Sequence, residues 1–288
     1  MKAAFWTNTI WYIGLAVAGA AVFSAALVWS KERKKTFAFF FAALGMTYFI
    51  EVVLLLVTDA YAYYPQIASD SFHESLIGNF FSQYSVTASA VLIATLGLNT
   101  WWRIGFSAAY FLIDVLFVKL SIYTHHWYSS WYTLAGFFVY SWVIKKWHGK
   151  IFAGPSKPVY LFTLFLGVFS LGGNILGTTL NFLEIRRFAM SLYTQATKDN
   201  TASSIVYSVP VTAAIILLNR LECRFVIKCF AMLLLLCCDY ALYRAGVIQV
   251  RAGWFVAGAV FTLFGRYFFA WFVGRCLGAP NPARKLPK

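Results

Sequence analysis

Three carboxylates sit where water cannot easily reach them. Asp114 lies in AAYFLIDVLFVKL, Asp239 in AMLLLLCCDYALYR and Glu51 in GMTYFIEVVLLL, all runs of almost unbroken apolar residues. A carboxylate in such a setting can bind a proton or a cation, or accept a hydrogen bond that fixes helix packing. Lys119 and Arg244 follow the two aspartates by five residues. Five residues turn a helix by about 140° net, so neither pair shares one face. The basic side chains are expected to snorkel toward an interface. The aspartates must then face protein or water, because Asp at the centre of lipid costs about 2.5–3.5 kcal/mol on the mildest scale. Two readings stay open for Asp114 and Asp239, a proton- or cation-binding pair and two hydrogen-bonded packing residues. For Glu51 the bland alternative is an interhelical hydrogen bond worth about 0.6–2 kcal/mol.

Other polar residues carry less. His73, Glu74, His125 and His126, with Asp59 and Asp70 nearby, fall between apolar runs on separate loops. Their spacing matches no zinc signature, so they are expected to be solvated or interfacial, and no metal or cofactor is expected. Five cysteines, Cys223, Cys229, Cys237, Cys238 and Cys276, form neither a disulfide framework nor a metal pattern and read as small buried apolar residues. No nucleophile elbow, zincin helix, phosphate loop or dinucleotide fingerprint occurs in a usable context. Enzymatic function is therefore disfavoured, with lipid chemistry by the outer His and acidic residues as its only support. Gly173 and Gly177, at GxxxG spacing, are expected to pack helices closely. Arg266 reads as a snorkelling side chain.

The elements that position these residues follow from composition. Of 288 residues, 61% are hydrophobic and 12% charged, about half the charge of a soluble domain. Runs long enough to span a bilayer fall at 9–30, 36–58, 81–100, 103–123, 128–146, 159–181, 203–219, 225–243 and 253–274. The fold expected is an all-α, polytopic bundle of about nine transmembrane helices, the seventh being the least secure because it is short and contains Pro210. With the N-terminus outside and the C-terminus inside, sixteen of the 24 Lys and Arg fall on the cytoplasmic side and seven outside. This orientation assigns the net charge of +14 to anionic inner-leaflet lipid and not to nucleic acid. Trp6, Trp11, Tyr12, Trp29, Trp101, Trp102, Trp127, Tyr128, Trp131, Tyr132 and Trp147 mark water–lipid boundaries. The first helix, longer than a signal-peptide core and followed by KERKK, is expected to be uncleaved.

The chain also matches itself. At a shift of 123, Tyr84-Ser85-Val86 meets Tyr207-Ser208-Val209, Glu51 meets Asn174 and Trp131 meets Trp254; at 125, Arg103 meets Lys228, Asp114 meets Asp239 and Lys119 meets Arg244. This predicts a parallel repeat of four plus four helices, with one extra helix in front. The divisions are 1–35 (first helix and basic loop), 36–158 and 159–275 (the two repeats), and 276–288 (a cytoplasmic tail).

Residues 45–152 carry GMTYFIEVVLLL, Tyr64-Pro65 and SIYTHHWYSSWYTLAGFFVYSWVIKKWHGKIF. In these stretches the chain resembles an uncharacterised family of small multi-pass membrane proteins of endospore-forming Firmicutes. The shared features are His126-Trp127, Trp131 and the basic, aromatic end Lys145-Lys146-Trp147. The resemblance implies a membrane fold, located here in a bacterial cytoplasmic membrane, and no activity. Three function classes follow. The favoured one is small-solute or ion transport, with Asp114, Asp239 and Glu51 as the cation- or proton-binding carboxylates. Beside it stands a structural or sensory protein acting through a membrane partner or as a homo-oligomer. An intramembrane enzyme comes third.

Overall fold

A computed structural model describes residues 5–221 and 224–278. Among these residues there are nine helices: α1 (Phe5–Trp29), α2 (Arg33–Val57), α3 (Ser71–Thr95), α4 (Thr100–Lys119), α5 (Ser130–Phe152), α6 (Lys157–Leu171, continued by Gly172–Gly177 and Thr178–Phe182), α7 (Ala196–Arg220), α8 (Phe225–Arg244) and α9 (Phe255–Leu277). All except α5 are long and apolar enough to cross a membrane, which makes the chain an integral multi-pass membrane protein. α5 has the length, but its Trp and Tyr residues and its basic end, KKWHGK, lower its apolarity. The tail at 279–288 and Cys223 lie outside the described residues.

Two elements start well before their expected positions. α3 starts at Ser71 and not near residue 81, because Asp70 caps it by accepting from the backbone N–H of Phe72 (3.1 Å) and His73 (2.9 Å). α7 starts at Ala196 and runs through Pro210 to Arg220, so it is among the longest helices and not a short one. In both cases the first turns are polar, and an apolar window cannot see them.

The chain divides after Tyr160 into two compact units. In unit 1, α3 is central. α1, α2 and α5 pack along it, and α4 packs on α5. A Cβ at Gly19 of α1 would stand 2.9 Å from Ser85 Cα, so α1 reaches α3 at backbone distance only through that glycine. Phe23 stacks on Phe40 at 4.0 Å between centroids, and Phe39 meets Trp147 edge-on at 5.0 Å. Two three-residue strands, β1 (Tyr61–Tyr63) and β2 (Tyr123–His125), join the α2–α3 and α4–α5 connections in an antiparallel ribbon, with Tyr61 opposite His125 and Tyr63 opposite Tyr123.

Unit 2 holds most of α6, with α7, α8 and α9. Its ribbon pairs β3 (Arg186–Phe188) with β4 (Ile248–Val250), Arg186 lying opposite Val250. α9 packs on α6, α7 and α8. The close approach is made at Gly265, where a Cβ would meet Leu176 at 2.8 Å, and at Gly172, where it would meet Arg266. Gly173, expected to be a contact glycine, has nothing within 4 Å of such a Cβ; it lies in the π-helical segment Gly172–Gly177. Cys229, Cys237 and Cys238 are exposed on α8 and not buried, which a lipid-facing thiol tolerates as a small apolar group.

Gly78 in α3 gives a direct test of unit 1 packing. A Cβ there would stand 2.4 Å from Tyr63 Cβ, an atom tied to the ribbon backbone, whereas Gly14 has open space. Gly78→Ala should cost about 1–3 kcal/mol and lower the thermal unfolding midpoint in detergent. Gly14→Ala should leave that midpoint unchanged or raise it.

Candidate functional site

Unit 1 contains a cavity of about 200 Å³ whose lining includes both Glu51 and Asp114. Two of the three carboxylates singled out from the sequence therefore share one space. Glu51 is the last residue of the α-helical part of α2, immediately before the π-helical segment Val52–Val57. Single π turns inside α-helices recur at functional sites, since they widen the helix and re-aim the neighbouring side chain. The Tyr61 hydroxyl donates to Glu51 Oε2. Gln83, buried, donates nothing in good geometry from Nε2, which stands near the same carboxyl; its Oε1 accepts from Thr47 at 3.1 Å.

Asp114, also buried, is held from α5 and β2. Ser130 Oγ donates to Oδ1 at 2.5 Å and Thr133 Oγ1 to Oδ2 at 2.7 Å. His125 Nε2 lies 3.1 Å from Oδ1, but bent away from hydrogen-bond alignment. The sequence placed His125 in a solvated loop. The ribbon instead turns it inward against Asp114.

Tyrosine is the commonest residue in the remaining wall, with Tyr61, Tyr63, Tyr110, Tyr123, Tyr128, Tyr132 and Tyr140 among aliphatic side chains and the hydroxyls of Thr47, Ser82 and Thr133. Tyr63 stacks on its cross-strand partner Tyr123 at 4.5 Å, and Tyr61 meets Tyr123 at 5.3 Å and Tyr128 at 5.0 Å. Burial pushes the phenols of Tyr61, Tyr63 and Tyr123 well up and that of Tyr128 to about 12, so all four rings stay neutral at physiological pH. Neutral rings with carboxylates beside them attract a positive charge through the ring quadrupole and through Coulomb's law together. Tyr128 and Tyr132 had read as boundary anchors. The alternation Tyr-Ala-Tyr at 61–63 is the period of a strand and puts both rings on one face, a signal within reach of the sequence.

The ribbon itself is latched by Glu74. Its carboxylate accepts from the backbone N–H groups of Gln66, Ile67 (2.6 Å) and Ala68. Gln66 adopts a positive φ of 56°, which turns these three N–H groups toward one point. Glu74 is thus a buried structural acceptor and not a solvated loop residue.

Asp239 lies in unit 2, in different surroundings. Tyr207 Oη donates to Oδ1 at 2.8 Å, and Arg186 Nη2 approaches Oδ2 at 3.1 Å, close in distance though bent from hydrogen-bond alignment. Arg186 was expected on the outer loops. It is buried, with its guanidinium 5.0 Å from the Phe188 ring centre and 4.9 Å from that of Tyr207. Arg266, expected to snorkel, is also buried and donates to Ser208 Oγ at 2.9 Å. A second latch occurs here: Asp199 accepts from the N–H groups of Ser191 (3.2 Å), Leu192 (2.5 Å) and Tyr193 (3.2 Å).

The two aspartates should therefore respond differently to neutralisation. Asp239→Asn leaves the Arg186 charge buried without its counter-ion and should cost about 3–5 kcal/mol, with most of it recovered in Arg186→Met/Asp239→Leu. Asp114→Asn, whose partners are hydroxyls and an imidazole, should cost clearly less. Thermal unfolding in detergent compares the three variants, and equal losses for the two single changes would contradict this picture. Comparison with protein-family models, with curated proteins and with solved structures finds no match for this chain.

Proposed function

We propose that this protein carries a small solute or ion across a bacterial cytoplasmic membrane, with the unit 1 cavity as its binding site and Glu51 and Asp114 as the cation- or proton-binding carboxylates. The observation that carries the reading is that both carboxylates line one cavity walled by neutral tyrosine rings. Its volume lies below the about 300–1,000 Å³ of drug-sized sites, which suits a small solute. The N-out, C-in orientation follows the bias of Lys and Arg and puts the β1–β2 ribbon on the outer side. The cavity then lies toward the outer end of the bundle.

The reading includes an internal duplication with a single shift of 125. At that shift β1 and β2 fall on β3 and β4, and the bounds of α3, α4 and α5 fall on those of α7, α8 and α9. Local hydrogen bonds follow the same register. His126 N–H donates to the Ala60 carbonyl as Arg251 N–H does to that of Ile185, and Tyr64 to Ile122 as Ala189 to Val247. The latches repeat it too, Glu74 on residues 66–68 and Asp199 on 191–193, each turn opened by a residue of positive φ. Asp114 and Asp239 then occupy equivalent places, while Glu51 and Asn174, which met only at a shift of 123, do not.

One observation favours the structural or sensory reading instead: Asp239 is closed off by Tyr207 and Arg186. Proteoliposomes on a solid-supported membrane separate the two readings. Concentration jumps of sodium, potassium, protons, alkylammonium and alkylguanidinium salts are applied to wild type and to Glu51→Gln/Asp114→Asn. At least one solute should give a transient current that falls to the level of empty liposomes in the double variant. No current with any of these solutes, or equal currents in both proteins, would overturn the carrier assignment.

A further inference from the structure

We propose that the unit 1 cavity takes a small organic monocation with an ammonium or guanidinium head, and that Arg186 is a tethered counterpart of that ligand in unit 2. The inference rests on reading the cavity as a solute site and on the 125-residue correspondence, and adds the class of ligand. Under that correspondence Tyr61 occupies the place of Arg186, and Asp114 that of Asp239. In unit 2 the place is filled from within. The Arg186 guanidinium lies against an aromatic ring of its own strand, Phe188, and one from α7, Tyr207, with Asp239 at 3.1 Å and Thr262 Oγ1 at 3.4 Å. Such a cage, rings on the sides and a carboxylate at the end, is how proteins hold organic cations.

Unit 1 keeps part of this cage without the arginine: Tyr63 takes the place of Phe188, while Ser82 and Phe137 stand where unit 2 has Tyr207 and Thr262, and the further rings come from Tyr123 and Tyr128. Tyr61 stands at the arginine's position and contributes a further ring, Asp114 keeps the carboxylate, and Glu51 adds a second, its equivalent in unit 2 being Leu176. No Lys or Arg lines the cavity, where His125 is the nearest basic group to Asp114. Two carboxylates against a wall of rings suit an organic cation, whose alkyl part packs on the rings, better than an inorganic ion, which would need several oxygen ligands to replace its water.

Calorimetric titration of the full chain in detergent tests this with butylguanidinium, butylammonium and the neutral isostere n-butylurea. The two cations should bind at least about tenfold more tightly than butylurea. Glu51→Gln and Asp114→Asn should each weaken cation binding by about tenfold or more. Tyr61→Arg should abolish it in a protein of unchanged helical content, by filling the cavity as Arg186 fills its counterpart. A short-chain phosphatidylethanolamine carries the same ammonium on a lipid. Tighter binding than butylammonium assigns the ligand to the bilayer, and weaker binding assigns it to free solutes. Butylurea binding as well as the cations, or no cation binding to folded wild type, would overturn the proposal. Should the cavity variants fail to fold, Arg186→Ala supplies an independent reading: its unfolding midpoint should rise more with butylguanidinium than that of wild type, and equal rises would overturn the tethered-ligand assignment. Cation binding without solute currents would sustain this inference while removing the carrier reading, and currents of inorganic ions without organic-cation binding would do the reverse.

Discussion

Hydrocarbon offers no hydrogen bonds, so every polar group carried into the bundle must find its partner within the chain. Much of the local architecture follows from that constraint. The four connections that carry strands run to 10–13 residues, and their backbone groups are closed by three-residue ribbons and by carboxylates that gather three successive N–H donors, Glu74 in unit 1 and Asp199 in unit 2. Such a latch satisfies donors that a loop in water would leave to solvent, and it pins the ribbon against the helix that bears the carboxylate. Apolar side chains need no such provision. Phe225, Val226 and Phe230 stand exposed along α8 without cost wherever lipid surrounds them.

The same constraint makes the two aspartates informative. Asp239 faces a buried guanidinium at 3.1 Å. At an effective dielectric near 20 that attraction is on the order of 5 kcal/mol, comparable with the several kcal/mol each buried ion loses on leaving water. The pair therefore comes near balance, and its effect is to fix the position of Arg186 more than to add stability. Asp114 receives hydroxyl donors from Ser130 and Thr133. Hydrogen bonds to a charged group contribute about 1.5–3 kcal/mol each, enough to hold the carboxylate in place, yet they bring no opposing charge.

How much of this was legible depended on the length of the signal. A spanning helix announces itself through some twenty apolar residues, so the eight apolar helices stood out and the more polar α5 less so, and the rarity of charge within them points to Glu51, Asp114 and Asp239. Polar first turns hid the starts of α3 and α7. The ribbons were missed because three residues carry almost no periodicity; only the Tyr-Ala-Tyr alternation at 61–63 pointed to a strand. Without the ribbons, His125 and Arg186 looked like surface residues, and Tyr128 and Tyr132 looked like membrane anchors, since an aromatic ring suits either a lipid boundary or a cavity wall. Among apolar residues chance identities are frequent, which is why shifts of 123 and 125 competed in the sequence. Backbone hydrogen bonds, which do not depend on side-chain identity, recur at 125.

If the two units descend from one ancestor, Tyr61 against Arg186 is one of several differences between them at the site, beside Glu51 against Leu176 and Ser82 against Tyr207. An arginine on the first ribbon strand supplies its own cation, which faces Asp239 at 3.1 Å and lies against the rings of Phe188 and Tyr207. A tyrosine there cannot neutralise the carboxylate. It donates its hydroxyl to Glu51 instead, and adds its ring to those of Tyr63, Tyr123 and Tyr128. No Lys or Arg lines the cavity that these two acidic groups share. A guanidinium beside Asp239 and hydroxyls beside Asp114 are thus alternative answers to the same physical demand, a buried aspartate that must be given donors from within the chain.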